Sequence, residues 1–170
     1  YTLWHTLSLH DALPISLQYA ESAGMPASIA ISRIGLGLAL HEKGRLAEAA
    51  EEIQEAYAVC RQTGSRQIEY ACCLAEAECA LDLGDQAAAL RAAEKAMAIG
   101  KDYGYRNVWF WRPAAMARIC CKALEAGIAV AYGQALVRKR SLVPEKPPLE
   151  IENWPWPVRI YTFGRFAVMQ

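Results

Sequence analysis

The stretch Gly44-Arg45-Leu46-Ala47-Glu48-Ala49-Ala50-Glu51-Glu52-Ile53-Gln54-Glu55-Ala56-Tyr57-Ala58-Val59-Cys60-Arg61-Gln62-Thr63-Gly64 decides the fold. Leu46, Ala49, Ala50, Ile53, Ala56, Tyr57 and Cys60 recur at three and four residues, the spacing that lines one face of an α-helix. Glu48, Glu51, Glu52, Gln54 and Glu55 take the opposite side, a solvated solubility surface. Glycines bracket the stretch where a helix end favours left-handed backbone. A helix over 46–63 follows, preceded by another over about 27–43. Gly37, Ala49 and Ala56 are small enough to let the two approach to about 8–10 Å as an antiparallel hairpin.

Shifted by forty residues, the pattern repeats. Gly44 falls on Gly84, Gly64 on Gly104, Arg66 on Arg106, Ala49 on Ala89, and Ala56 on Ala96. The second unit therefore reads as helices over 66–83 and 86–103. One hairpin cannot bury its own apolar face, whereas stacked neighbours can, so an all-α array is expected. A third, less regular unit starts at Pro113, a residue suited to a first helical turn, and resumes over about 128–140. Tyr103, Tyr105, Trp109, Phe110 and Trp111 cluster just before it. Core filling at a repeat junction is the plain reading of that cluster, and a ligand-stacking surface is the alternative.

Composition excludes several classes. With 54% apolar and 21% charged residues the chain is globular rather than disordered. Eighteen Lys and Arg balance eighteen Asp and Glu, which leaves no overall electrostatic footprint for nucleic acid or an anionic membrane. No apolar run reaches membrane-span length. Cys60, Cys72, Cys73, Cys79, Cys120 and Cys121 include two adjacent pairs within helices, a poor geometry for bridging. Reduced, buried thiols and a cytoplasmic location are expected.

Both ends differ from the middle. Residues 1–16 have no expected helical period, and Thr6 to Ile15 read as one translated frame of a common short-read sequencing adapter. They are expected to be an artefact, and His5, His10 and Asp11 are set aside with them. Residues 17–140 form the repeats. Residues 141–157 carry Pro144, Pro147, Pro148, Pro155 and Pro157 and are expected to be an extended linker. Residues 158–170 alternate as strands do, a short β segment that needs a larger domain around it.

The repeat resembles the tetratricopeptide family. Leu36-Gly37, Gly44, Ala49, Ile53 and Ala56 match that family's spacing; the second unit keeps Ala77, Gly84, Ala89 and Ala96 but has Glu76 where Leu is usual. The period of forty exceeds the usual thirty-four. The run Trp154-Pro155-Trp156-Pro157-Val158-Arg159-Ile160-Tyr161-Thr162-Phe163-Gly164-Arg165-Phe166 resembles the opening of an OmpR-type winged-helix domain. Together these are similar to MalT-like and bacterial transcriptional activator regulators. The resemblance implies a signal-sensing α-solenoid ahead of a DNA-binding domain, with DNA contacted only through that further domain. No Gly-x-x-x-x-Gly-Lys phosphate loop is present, so the sequence supports no ATPase.

Arrays of this kind bind along the concave face lined by the first helix of each pair. Ile34, Leu38, His41 and Glu42, then Leu74, Glu78 and Asp82, fall on that face. His41, Glu42, Glu78 and Asp82 are its polar members, candidates to orient a protein segment or a small-molecule inducer. Ordinary solvated or helix-packing residues would show the same spacing. His41 lacks a Cys or second His, so no metal is expected. No nucleophile–base pair points to an enzyme, and no cofactor is implied. The expected function is a non-catalytic binding module of a transcriptional regulator; the alternative is a free-standing adaptor unrelated to transcription. Arg138-Lys139-Arg140, the only basic run, complements a helix C-terminus.

Overall fold

Residues 9–161 and 167–169 are described by the computed structural model. Among them, seven helices follow in order: α1 (Leu9–Ser22), α2 (Pro26–Glu42), α3 (Leu46–Thr63), α4 (Arg66–Leu83), α5 (Gln86–Tyr103), α6 (Pro113–Glu125) and α7 (Val130–Arg140). The chemistry of the ends sets these bounds. Gly64 and Gly84 cap α3 and α4 at φ of 64° and 75°, a conformation that costs a residue bearing Cβ. Ser65 and Asp85 start α4 and α5 by accepting hydrogen bonds from the backbone N–H groups of Ile68 and Ala88. Proline begins α2 and α6.

Each short turn folds a helix back on its predecessor, so α2 packs on α3 and α4 on α5. The close approach sits where the small residues are. A Cβ added to Gly37 would lie 3.1 Å from the Ala49 carbonyl oxygen and 3.1 Å from Ile53 Cγ1. Ala49 and Ala56 are fully buried at this seam. Helices α2, α4 and α6 touch in succession and form an inner layer, while α3, α5 and α7 lie outside them. Two apolar clusters fill the space between layers. One gathers Ile34, Ile53, Ile68 and Cys72; the other gathers Tyr70, Met97, Ile119, Leu124 and Leu136. Burying one such aliphatic side chain contributes about 1.5–3 kcal/mol.

The ends depart from expectation in two ways. Helix α1 begins at Leu9, inside the stretch expected to lack a helical period, and Leu13 is buried against α2. Residues 1–8, including His5, lie outside the described residues. The Pro-rich segment has no helix, as its ring geometry demands, but it is not a free spacer. Leu142 and Trp154 are buried in the second cluster, and Asn153 donates to the Leu124 carbonyl at 3.2 Å. Gln134 in turn donates to the Asn153 carbonyl at 2.9 Å. Beyond it, Arg159–Tyr161 pairs antiparallel with Ala167–Met169, Ile160 opposite Val168. The intervening Gly164-Arg165 lies outside the described residues.

Candidate functional site

The four polar residues singled out on the inner helices come together. Each turn of α2 and α4 repeats the face after three or four residues, so His41 and Glu42 end α2 beside Glu78 and Asp82 on α4. His41 Nε2 lies 3.2 Å from Asp82 Oδ2. Arg112 bridges the two helices: one guanidinium nitrogen reaches Glu42 at 2.8 Å and the other reaches Glu78 at 2.6 Å. Arg118 on α6 pairs with the second oxygen of Asp82. Burial pushes the Glu78 carboxyl above its ordinary value, and the Arg112 guanidinium beside it opposes that push.

The face expected to bind a guest is covered by the chain itself. Residues 108–112, in the connection between α5 and α6, run across it. Phe110, Trp109 and Val108 pack on the cluster that holds Ile34, Leu38 and Ala71. The Phe110 ring enters a notch made by Gly35, where an added Cβ would lie 2.5 Å from Cζ of the ring. Only about 20 Å³ remains beneath the loop among α2, α4 and α6, and a cleft of about 240 Å³, half open to solvent, lies between the loop and the outer edge of α2. Phe110 holds a φ of 57°, a left-handed conformation that bulky residues rarely adopt. The Arg112 Nε is buried and has no hydrogen-bond partner among the described residues. The loop thus fits the face in its side chains but carries strain in its backbone and leaves a donor unmet.

His41, Glu78 and Asp82 also place one ligand atom each within 4.8 Å of one another, a grouping able to hold a metal ion. The sequence places these residues on one face, but His41 without a Cys or second His gave no reason to expect a metal there. Both carboxylates already face guanidinium groups, so the cluster is closed by charge from within the chain. Arg112 and the loop were the members that sequence reasoning left out. The only available signal was the aromatic cluster, which carries no mark of which face it covers.

A second concavity lies on the outer layer. Helices α3 and α5 stand apart over α4 and leave a groove of about 620 Å³. Lys95 spans it, 2.8 Å from Glu69 and over the Tyr57 ring at 5.2 Å from the centroid. The six cysteines are all free thiols. Burial raises their pKa values, Cys73 and Cys121 to about 11 and Cys79 and Cys120 to about 12, which disfavours the thiolate at neutral pH. No helix among the described residues is long and apolar enough to cross a membrane. Compared with known proteins, the chain matches no family model, no curated protein and no solved structure.

Proposed function

We propose that this chain is a non-catalytic binding module built of tetratricopeptide-like hairpins, the signal-sensing part of a MalT-like transcriptional regulator. The observation that carries the binding half is the inner face itself. Helices α2 and α4 present an apolar floor of Ile34, Leu38 and Leu74 beside the carboxylates of Glu42 and Glu78, and a non-helical stretch of chain that turns at Trp109 and Phe110 already lies across it. A surface that holds a non-helical segment by apolar burial and paired charge has the makings of a recognition surface. The regulator half is supported by the tryptophan–proline run at 154–166, similar to the start of a winged-helix domain. In this reading a guest on the inner face shifts the equilibrium between two states of the longer protein by its differential affinity for them.

Two measurements test the halves separately. Reading the uninterrupted gene past Gln170 should show winged-helix sequence; a stop codon or an unrelated domain there removes the regulator half. A thermal-shift screen of sugars, nucleotides, amino acids and short peptides should yield a compound that raises the melting temperature of the chain and loses this effect in Leu74→Asp. A screen in which every stabilising compound acts equally on both chains would sink the binding half.

A further inference from the structure

The segment that crosses the inner face shows what the face is built to hold. Its Phe110 ring fills the Gly35 notch, and two residues on Arg112 reaches carboxylates of two different helices. Aromatic rings and arginine are the side chains that most often dominate recognition energies. Here a floor notch and a carboxylate pair match them one to one. The same segment is imperfectly seated: positive φ at Phe110, a buried Arg112 Nε without a partner among the described residues, and a cleft of about 240 Å³, half open to solvent, left along α2. An intramolecular occupant gains from its high effective concentration and can remain bound despite such defects. A guest free of the connection to α5 and α6 can present the same groups without the strain.

We propose that residues 108–112 are a resident stand-in for a partner peptide, and that the partner is a segment carrying an aromatic residue followed two positions later by arginine. This rests on the reading of the inner face as a binding surface and names its ligand class. Binding displaces the loop, so the chain is held closed until such a segment arrives. The carboxylates of Glu42 and Glu78 select the cation, and the absence of a side chain at Gly35 admits the ring.

The test uses a fluorescein-labelled peptide with the sequence of residues 107–113 and the full chain, read by fluorescence anisotropy. Phe110→Gly combined with Arg112→Ala removes the resident groups; glycine also suits the left-handed backbone at 110, which favours retention of the fold. This chain should bind the peptide at least about ten-fold tighter than the unaltered chain, and the milder Phe110→Leu should fall between them. Glu78→Gln added to the emptied chain, or Arg→Ala in the peptide, should cancel most of that gain. An emptied chain with native helical content and a cooperative melt that binds no tighter than the unaltered one overturns the proposal. So does an emptied chain and a Phe110→Leu chain that both fail to fold, because the loop is then ordinary core. If the peptide fails while the small-molecule screen yields an inner-face ligand, the binding reading stands and the stand-in falls.

Discussion

Gly37 is the residue on which the first hairpin closes. Its missing side chain sets the distance between α2 and α3, because the nearest obstacle, the Ala49 carbonyl oxygen, belongs to backbone and cannot rotate away. Gly37→Val places atoms inside that contact. We expect a loss of about 1–3 kcal/mol, measured as a lowered urea midpoint with unchanged slope. The cysteines make a second expectation at this scale. Cys60, Cys72, Cys73 and Cys120 are buried, and burial holds their thiols protonated. In native buffer at pH 8 a thiol reagent should leave these four unmodified over minutes, and all six should react in guanidinium chloride. Fast native labelling of any of the four would show that its cluster opens readily.

At the scale of the element, the capping residues made the helices legible. Gly64 and Gly84 mark where α3 and α4 stop, and the apolar spacing fills the rest, while the N-caps Ser65 and Asp85 emerge from the structure. The meeting of His41, Glu42, Glu78 and Asp82 was legible too, since helical geometry puts them on one side. The loop was not. A left-handed Phe110 has no sequence signature, and Arg112 finds partners 70 and 34 residues away. Docking of Trp154 is equally non-local: proline marks what a segment cannot be, not what it lies against.

Pairing between helices also makes a pH dependence. Glu69 on α4 receives a hydrogen bond from Lys95 on α5, and this, with Arg66 assisting and partial burial opposing, holds its carboxyl below the ordinary value. A carboxyl with a depressed folded pKa adds stability above its unfolded value, about 4.3, and that contribution disappears as pH falls through the folded value. Glu69→Gln should therefore be less stable than the unaltered chain at pH 7, and the gap should close in thermal melts between about pH 5 and pH 3. A gap that stays constant across this window would assign the effect to packing rather than charge.

For the whole molecule, the tail is part of the fold. Trp154 is 5% exposed and lies with Leu142 in the cluster formed by α4 to α7. Trp154→Ala should cost about 3–5 kcal/mol at that site, and limited proteolysis should cut within 143–153 well before the helices. Equal cleavage rates in both chains would show that the tail is held by something other than this ring. Asn153 fastens the tail to both helices of the last hairpin, accepting from Gln134 on α7 and donating to the Leu124 carbonyl on α6.

The separation of α3 from α5 has a mechanical meaning. The hairpins are joined through α4 and the inner layer, whereas the backbones of α3 and α5 stand apart across the groove and are bridged by the Lys95 side chain over the Tyr57 ring. A seam fastened by backbone packing along one edge and by a side chain along the other bends about the packed edge, as a book opens along its spine. Curvature is then the soft coordinate of the arch, and whatever wedges against its inner surface or draws its outer helices together sets how tightly the arch is curled.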